Sequence, residues 1–259
     1  MNHLAKYTKS GYRRVEGWLD AESVKVITQL AAHQETSRVQ GGICEIGVHH
    51  GRLFILLLLL SRGSEICVAC DLFDNQDEND DASGKGSREH LLRNIQSHGG
   101  DSQRVRLIAG NSLRLTPAAI IELCGPVRLF SVDGGHTAEV TCNDLRLAAA
   151  TTCEGGLVIL DDYFNARWPA ESEGTCRFMA SDSSIAPVAI VGNKFIFAKG
   201  KEMAASYRAL VDGLESTVFG EPVVIAGSRS WRERLAQTRL WHDVRDGRVG
   251  RIARQLLRR

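Results

Sequence analysis

Strand-like and helix-like segments alternate along the first two thirds of this 259-residue chain. Short runs rich in Val, Ile and Leu are typical of strands, and they are separated by longer segments in which apolar residues recur at helical spacing. This alternation predicts an α/β protein with a mostly parallel sheet covered by helices on both faces. The first five predicted strands cover residues 43–48, 65–73, 105–109, 127–132 and 157–160.

One of the predicted helices is apolar on every side. Residues 53–60 are all Leu, Ile or Phe, and a helix without a polar face is expected to lie deep in the core. Eight apolar residues are far fewer than the roughly 20 that a membrane-spanning helix needs, so this segment does not indicate a membrane protein. The predicted helices cover residues 21–33, 51–61, 87–98, 117–124, 138–153 and 201–214.

The end of the pattern differs from its beginning, because two strand-like runs follow each other without a helix between them. Residues 187–191 and 195–199 are joined by Gly192, Asn193 and Lys194, and so short a connection requires a hairpin. One of the two strands must therefore run antiparallel. The sequence thus predicts a seven-stranded sheet with one antiparallel strand in a C-terminal hairpin.

Three regions of the chain differ in composition. Residues 1–40 are predicted to form a helical lead-in, residues 41–215 the α/β domain, and residues 216–259 an arginine-rich extension. Residues 229–259 contain ten arginines and three acidic residues, a local formal charge of +7 in a chain whose net charge is +1. Apolar residues recur at helical spacing in 249–257, so we expect this tail to pack on the acidic body or on a second subunit, as in a homodimer. Contact with an anionic membrane is the alternative.

The N-terminal residues and the cysteines indicate the compartment. The lysines near the N-terminus are not followed by an apolar core, so the pattern of a secretory signal is missing. Seven cysteines are scattered through apolar segments, which is typical of reduced thiols in a cytosolic protein. Cys67 and Cys70 form a Cys-x-x-Cys pair, but they would point to opposite faces of a strand, and no second pair completes a zinc site. We therefore expect a cytoplasmic protein, and the net charge near zero predicts no general affinity for nucleic acid.

Three carboxylates directly follow predicted strands. Asp133 comes after the strand at 127–132, and Asp161 and Asp162 come after the strand at 157–160. The carboxyl ends of parallel strands lie along one edge of a sheet, where α/β proteins bind their ligands. Carboxylates without cysteine or several histidines suit a hard cation such as Mg²⁺.

A candidate base accompanies these carboxylates, because His136 stands three residues after Asp133. An imidazole that a nearby cation keeps neutral suits proton abstraction from a substrate oxygen. The competing interpretation is that the aspartates cap turns and that His136 is a loop histidine without a role. Asp161 and Asp162 are adjacent, and adjacent residues tend to point apart, so the contact of Asp162 with a metal depends on the backbone geometry.

A glycine-containing turn separates the first predicted strand from the apolar helix. The turn begins at Glu45, contains Gly47 and ends at Gly51, and its glycines let the backbone approach a ligand closely. It is not the dinucleotide-binding motif G-x-G-x-x-G, because His49 and His50 occupy positions that need glycine or a small residue. The acid before the glycines favours an amine-bearing ligand over a pyrophosphate.

Asp71 ends the second predicted strand, about 20 residues after the glycine turn. An acid at this position can accept two hydrogen bonds from the hydroxyls of a ribose. The turn and Asp71 together predict a nucleoside that carries an amino-acid-like group. A tight turn without a ligand, and a capping role for Asp71, are the alternatives.

These residues resemble the class I S-adenosylmethionine-dependent methyltransferases over roughly residues 41–200. The resemblance rests on the glycine turn, its spacing to Asp71, the metal-type aspartates and the terminal hairpin. Within that class, segments 45–51, 131–136 and 160–163 are similar to the metal-dependent sugar O-methyltransferases of the macrocin and mycinamicin type, and more distantly to the catechol O-methyltransferases. The resemblance implies a three-layer, Rossmann-like methyltransferase fold.

The resemblance also implies which residues bind the cofactor. Glu45 and Gly47 would shape the methionine end of the pocket, Gly51 would give the close turn, and Asp71 would bind the ribose. His49 stands where the family commonly has a small residue, which leaves the contacts of the two histidines open. The other implied cofactor residues are Asn111 and Ser112, beside the adenine, and Asp133.

The function that this resemblance implies is Mg²⁺-dependent O-methylation of a sugar hydroxyl in a glycan or a glycosylated metabolite. S-adenosylmethionine would supply the methyl group, His136 would be the general base, and the metal ligands would be Asp133, Asp161 and Asp162. Three other functions stay open: methylation of a phenolic or other small-molecule hydroxyl, cofactor binding without methyl transfer, and, more distantly, a dinucleotide-dependent oxidoreductase.

The acceptor side of the site has fewer sequence signals. Residues 74–86 are polar and acidic, and they are predicted to form a solvated loop or a lid that orders over the ligand. Tyr163 and Trp168 follow the aspartate pair, and aromatic faces pack well against sugar rings. Trp168 is interpreted either as a substrate platform or as a packing residue, and packing is the favoured interpretation of Tyr163.

Overall fold

The computed structural model of the protein describes residues 2–79 and 83–227. The amphipathic segment 249–257 and most of the predicted arginine-rich extension lie outside the described residues, so the packing of this tail stays a prediction. Among the described residues, no helix is long and apolar enough to cross a membrane.

A single sheet of nine strands runs through the described part of the protein. In chain order the strands are β1 (Gly42–Ile46), β2 (Cys67–Asp71), β3 (Val105–Ala109), β4 (Val127–Val132), β5 (Thr152–Leu160), β6 (Ile185–Val191), β7 (Lys194–Lys199), β8 (Gly213–Val218) and β9 (Glu221–Ala226). Their order across the sheet is β3-β2-β1-β4-β5-β7-β6-β9-β8. The first five strands are parallel to one another, as the alternating pattern predicts.

Helices cover both faces of this sheet and give the predicted three layers. They are α1 (His3–Lys9), α2 (Ala21–Thr36), α3 (Arg52–Leu60), α4 (Arg88–Ser97), α5 (Pro117–Cys124), α6 (Ala138–Thr151), α7 (Pro169–Ser181) and α8 (Lys201–Arg208). One apolar core joins α1–α4 and α8 to the sheet, and a second core joins α5–α7 to its other face. Residues 53–58 of the all-apolar helix α3 are buried, as expected.

The predicted number of strands, seven, is too low. Strands β8 and β9 pair antiparallel with each other, and β9 joins β6 in parallel. Strand β7 is antiparallel to both of its neighbours, as the hairpin predicts, so β7 and β8 run against the other seven strands. Strand β8 lies at the sheet edge and carries Glu215, Ser216 and Thr217 in place of an apolar alternation, which is why the sequence pattern does not reveal it. The sheet continues across the predicted domain boundary at residue 215; the division into domains stays a prediction.

Two predicted helices are too long. The helix predicted at 201–214 ends at Arg208, because the chain turns there into β8. The helix predicted at 138–153 ends at Thr151, and β5 begins at once. The start of β5 is bulged, since its pairing with β4 shifts between Val127 and Leu129, and this irregular start hides the strand from a sequence pattern.

Helix α7 has no counterpart in the sequence prediction, which treats the chain around Trp168 as a loop. The helix begins with Pro169 in its first turn, a position that suits proline. Its buried face includes Glu171, Gly174 and Thr175 beside Phe178. Because polar and small residues occupy the buried side, the apolar periodicity that marks a helix is weak here.

The register of the central strands determines where the candidate site residues lie. Ile46 at the end of β1 pairs with Val132 at the end of β4, which in turn pairs with Leu160 at the end of β5. The next residues along the chain, Gly47, Asp133 and Asp161, therefore leave the sheet side by side at its carboxyl edge.

Candidate active site

A cleft of about 540 Å³ opens at the carboxyl edge of the sheet. Its walls come from the glycine turn after β1, the end of β2, the segments after β4 and β5, and the loop between β2 and α4. It is also lined by Trp168 and by the N-terminal residues Glu16, Gly17 and Trp18. Residues 16–18 belong to no recognisable motif. Their place in the cleft wall could not be predicted from the sequence, because it depends on how the N-terminal lead-in packs.

Gly47 brings the glycine turn against the segment that follows β4. Its φ is +80°, a conformation that residues with a Cβ rarely adopt. A Cβ at this position would lie 1.5 Å from the carbonyl oxygen of Asp133, so no side chain fits. Gly51 has φ +90° and precedes α3, where a Cβ would meet Leu91 at 2.5 Å. Both glycines are thus required by close approach, as the sequence predicts.

Glu45 places a buried carboxylate in this cleft. The residue is 2 % exposed, and its Oε2 has no hydrogen-bond partner. Burial, and then the charge of Asp133, raise the pKa of Glu45 well above its ordinary value. An ammonium group beside it would satisfy the oxygen and reverse this effect. The site therefore fits the amino group of an amino-acid-like ligand.

Asp71 lies at the end of β2, where a ribose-binding acid is predicted. Its Oδ2 accepts a hydrogen bond from the backbone N–H of His49 at 2.7 Å, and its Oδ1 accepts one from Phe73 at 2.7 Å. These two bonds fix the carboxylate, and each oxygen keeps a second acceptor position for a hydroxyl. Gly86 of the following loop packs against Asp71, since a Cβ there would lie 2.4 Å from Oδ1.

The loop between β2 and α4 contributes several residues to the cleft wall. It contains a short 3-10 helix at Gln76–Glu78, and residues 80–82 lie outside the described part. The side chain of Asn79 ties the loop together by donating to the Gln76 side chain at 2.9 Å and to the carbonyl of Ser83 at 2.7 Å. The described residues of the loop thus cover one side of the cleft, and its role as a lid stays a prediction.

Asn111 and Ser112 also line the cleft, just after β3. The Oδ1 atom of Asn111 accepts from the N–H of Leu113 at 2.9 Å, which fixes a turn. The Ser112 hydroxyl donates to Asp144 Oδ2 at 3.0 Å, and burial raises the pKa of Asp144 to about 6. The hydroxyl of Ser112 therefore already donates a hydrogen bond to Asp144, a buried acid of α6 that belongs to no recognisable motif.

The predicted acid cluster is present in part. Ligand atoms of Asp133, His136 and Asp162 all lie within 4.8 Å of one another. His136 Nε2 lies 3.3 Å from Asp162 Oδ2. Asp162 has φ +58°. Because of this left-handed backbone conformation, the side chains of Asp161 and Asp162 point in different directions. The three residues form an arrangement in which a carboxylate orients an imidazole beside a second carboxylate.

Asp162 is held by amide groups from two loops. Its Oδ1 accepts from Asn165 Nδ2 at 3.0 Å and from Asn193 Nδ2. Burial alone would raise the pKa of Asp162, but the hydrogen bonds from His136, Asn165 and Asn193 outweigh it and hold the pKa below its ordinary value. Asp162 is therefore the ionised member of the cluster.

Asp161 lies apart from that cluster. Its Oδ2 is bound by the ammonium group of Lys194, and its Oδ1 accepts from the backbone N–H of Asp162 at 2.8 Å. Lys194 is only 1 % exposed. Burial alone would lower its pKa, but Asp161 and then Asp133 outweigh this and raise the pKa. Lys194 belongs to no recognisable motif, and its one signal in the sequence is that it is a charged residue at the start of the apolar run of β7.

The charges of the cleft fit a cation. Glu45, Asp133, Asp161 and Asp162 exceed Lys194 by three negative charges when all are ionised. Burial, and then the charge of Asp161, raise the pKa of Asp133 well above its ordinary value, which is the effect of negative charge without enough compensation. A divalent cation would offset part of the negative charge of these four acids, and oxygen donors suit such a hard ion.

Trp168 covers His136. The two rings stack with their centres 4.3 Å apart and their planes 16° from parallel. Glu171, one turn into α7, is 4 % exposed and accepts a hydrogen bond from the Thr141 hydroxyl at 3.0 Å. Helix α7 therefore supplies both an aromatic cover for His136 and a buried carboxyl group behind it.

Glu171 is expected to make stability depend on pH. Burial raises its folded-state pKa from the ordinary 4.5 to about 8, so the folded protein holds this proton more tightly than the unfolded chain. The stabilisation is complete below about pH 4.5 and is lost as pH rises through about 8, by at most about 1.4 kcal/mol per pH unit. In Glu171→Gln this loss is absent, which urea unfolding at about pH 5 and about pH 8 would measure.

The matched control for that experiment is Glu173→Gln. Glu173 lies on the same helix but is exposed, in an ion pair with Arg177. Its stability difference from wild type should not change over the same pH range. An equally constant difference for Glu171→Gln would refute the assignment of a buried protonated carboxyl.

The two histidines of the glycine turn form a second group of side chains at the cleft mouth. His49 and His50 stack with ring centres 3.9 Å apart, and His50 Nδ1 lies 3.2 Å from Glu16 Oε2. The exposed ring of Trp18 lies 5.7 Å from the His49 ring. These contacts dock residues 16–18 of the lead-in onto the glycine turn, a role that the sequence analysis leaves open.

Known proteins share the fold of this chain. Residues 44–163 match the family model described as a methyltransferase domain. This part of the chain is thus similar to methyltransferase domains, and the fold is that of solved S-adenosylmethionine-dependent O-methyltransferases, which confirms the fold that the resemblance implies. No curated protein sequence matches the chain significantly.

Solved O-methyltransferase structures share the fold at low sequence identity. The O-methyltransferase NovP is 20% identical with a TM-score of 0.58, over 70% of this chain and 81% of NovP. CalS11, a TDP-rhamnose 3'-O-methyltransferase of calicheamicin biosynthesis, is 18% identical with a TM-score of 0.52, over 77% of this chain and 94% of CalS11. MycE of the mycinamycin pathway, solved with Mg, SAH and mycinamycin VI, is 18% identical with a TM-score of 0.52, over 76% of this chain and 54% of MycE.

Proposed function

We propose that this protein is an S-adenosylmethionine-dependent O-methyltransferase that methylates a hydroxyl group of a sugar, in a glycan or a glycosylated metabolite, with a divalent cation such as Mg²⁺. The observation that carries the proposal is one cleft that holds both an unpartnered buried carboxylate, Glu45, and the cluster of Asp133, His136 and Asp162. The first suits a cofactor with an amino group, and the second suits activation of a hydroxyl.

The cofactor would bind along the carboxyl ends of β1 and β2. Glu45 would accept a hydrogen bond from its amino group, Asp71 would accept from its ribose, and Asn111 and Ser112 would lie beside its adenine. Gly47 lets the backbone come close to it. When bound, S-adenosylmethionine supplies an electrophilic methyl group, and a divalent cation supplies positive charge that makes a nearby hydroxyl more acidic.

His136 would take the proton of the acceptor hydroxyl. Methyl transfer to oxygen is an in-line displacement, so this hydroxyl must be both aligned with the methyl group and deprotonated. The charge of Asp162, 3.3 Å from His136 Nε2, would stabilise the imidazolium that forms. Trp168 would fix the imidazole ring by stacking and exclude water from it.

A sugar is the proposed acceptor because of the groups around the base. Trp168 and Trp18 both line the cleft, as do Asn165 and Asn193, whose side-chain amides are hydrogen-bonded to Asp162. Aromatic faces combined with polar groups suit the apolar face and hydroxyls of a sugar ring. Among the proteins that share this fold, CalS11 is named as a TDP-rhamnose 3'-O-methyltransferase. We further propose, from the sequence, a cytoplasmic homodimer.

Calorimetric titration with S-adenosylmethionine, with and without Mg²⁺, followed by a screen of sugar and phenolic acceptors tests this function. Binding of the cofactor and a methylated sugar product are expected, together with loss of turnover in a chelator. If only phenols are methylated, the proposed sugar acceptor is wrong and the acceptor is a phenolic hydroxyl. If S-adenosylmethionine does not bind under either condition, the proposal is wrong.

Glu45→Gln is expected to weaken binding of S-adenosylmethionine by roughly 10- to 150-fold. The reason is that a charge-assisted hydrogen bond to the cofactor's amino group, worth about 1.5–3 kcal/mol, is lost. Calorimetry measures the change. Glu22→Gln, at an exposed glutamate of α2 paired with Lys25, is the control and should bind like the wild type. If the wild type and both variants bind S-adenosylmethionine with equal affinity, Glu45 does not bind the amino group of the cofactor.

A further inference from the structure

The β6–β7 hairpin contacts both aspartates that follow β5. Strand β5 pairs antiparallel with β7, with Leu160 opposite Phe195. Continued by one residue, this register sets Asp161 opposite Lys194, and these two side chains form an ion pair. One further residue along, Asn193 donates its side-chain amide to Asp162, and its carbonyl accepts from the N–H of Tyr163 at 2.9 Å.

The two aspartates consequently have different surroundings. Asp161 is 4 % exposed, and each of its oxygens already has a partner, the ammonium group of Lys194 or the N–H of Asp162. Asp162 has one oxygen held by amides and the other directed at His136. Only Asp162 lies within ligand distance of both Asp133 and His136.

We infer that Lys194 is a built-in counter-ion that removes Asp161 from the metal's coordination, so that Asp133 and Asp162 are the carboxylates that hold the cation. This inference rests on the proposed function, and it deepens that proposal by replacing the three-aspartate ligand set that the sequence predicts. Lys194 is a positioning residue in this arrangement, because it acts through Asp161 and is not among the residues that line the cleft. Its burial keeps water from competing for Asp161.

The location of Lys194 explains why this arrangement persists in a buried site. An ammonium group and a carboxylate that are both taken out of water stabilise each other, whereas either one alone is strongly unfavourable. A metal ion bound to Asp161 would share this carboxylate with Lys194, and two cations would then lie side by side in a buried site. The repulsion between these two cations therefore favours metal binding without Asp161.

The test measures Mn²⁺ binding by the loss of its free-ion electron paramagnetic resonance signal, with the full-length protein and no other ligand. The decisive variant is Asp161→Asn/Lys194→Met, which removes the ion pair as a unit and leaves the net charge of the cleft unchanged. Its Kd for Mn²⁺ should stay within roughly threefold of the wild type. Asp162→Asn should weaken Mn²⁺ binding by at least about tenfold.

Lys194→Met alone provides a second measurement. It removes one positive charge and releases Asp161, so it should tighten Mn²⁺ binding by roughly tenfold. Thermal unfolding shows whether this single variant folds despite the unpaired Asp161; if it does not fold, the double variant decides alone, because it contains no unpaired buried charge.

A loss of about tenfold or more in Asp161→Asn/Lys194→Met, equal to that in Asp162→Asn, would overturn the inference. If methyl transfer still required a divalent cation in that case, the proposed function would stand and only the ligand set would be wrong. A wild-type protein that binds no Mn²⁺ would overturn the inference together with the metal part of the proposed function. Cofactor binding, measured separately, would show whether the methyltransferase assignment survives.

Discussion

His136→Gln is expected to lower kcat for methyl transfer by about 10²- to 10⁴-fold, the usual contribution of a general base. Glutamine keeps much of the volume beneath the Trp168 ring, which stacks on His136 at 4.3 Å, but it cannot accept a proton near neutral pH. Binding of S-adenosylmethionine should change little, because the proposed cofactor contacts are at the carboxyl ends of β1, β2 and β3. Steady-state kinetics with a methylated-product assay and calorimetry with the cofactor measure the two quantities.

A histidine far from the cleft provides the control. His33 lies on α2, where its ring is hydrogen-bonded to the Ser206 hydroxyl at 2.8 Å, and His33→Gln should keep both kcat and cofactor affinity. If His136→Gln retained kcat within about threefold of the wild type, proton removal by His136 would be excluded. If it lost cofactor binding as well, His136 would have a structural role in the cleft instead.

Gly47→Ala is expected to lower the free energy of unfolding by about 3 kcal/mol and to abolish measurable cofactor binding. Two effects add, because a residue with a Cβ is strained at φ +80° and the new methyl group would overlap the carbonyl oxygen of Asp133. To relieve the overlap, the glycine turn must move away from the segment after β4. That movement would displace Glu45 and Asp133 together. Urea unfolding and calorimetric titration with S-adenosylmethionine measure the two losses.

Gly63→Ala separates the backbone effect from the steric one. Gly63 also has a positive φ, +50°, but a Cβ there has nothing within 4 Å. We expect this variant to lose about 1 kcal/mol and to keep its cofactor affinity. Similar losses of stability in the two variants would mean that the close approach to Asp133 contributes little, and retained cofactor binding in Gly47→Ala would contradict the predicted role of the turn.

The glycine turn and the position of His136 at the sheet edge were predictable because their geometry is local. Gly47 and Gly51 mark a strand-to-helix turn, and the conformation of such a turn depends on a few consecutive residues. His136 follows Asp133 by three residues, and the strand before Asp133 is a continuous apolar run. The end of β2 at Asp71 is marked in the same way. In each case a short segment contains both the signal and the structure.

The acceptor side was less predictable because its residues come together only through packing. Trp168 stacks on His136 across 32 positions of the sequence, from the first turn of a helix whose buried face is partly polar. Trp18 reaches the cleft from the N-terminal lead-in, which has no motif. Strand β8 lies at an edge with polar residues, so its membership of the sheet depends on pairing with β9 rather than on an apolar pattern.

The sequence by itself determined the α/β layers, the glycine turn, and the presence of carboxylates and a histidine at the carboxyl edge of the sheet. Only the tertiary structure decided which aspartate joins His136. That choice depends on the register between β5 and β7, which sets Lys194 against Asp161 and Asn193 against Asp162. Strand register is a non-local property, fixed by the packing of side chains on both faces of the sheet. Two adjacent and identical residues therefore acquire different roles that their own sequence cannot distinguish.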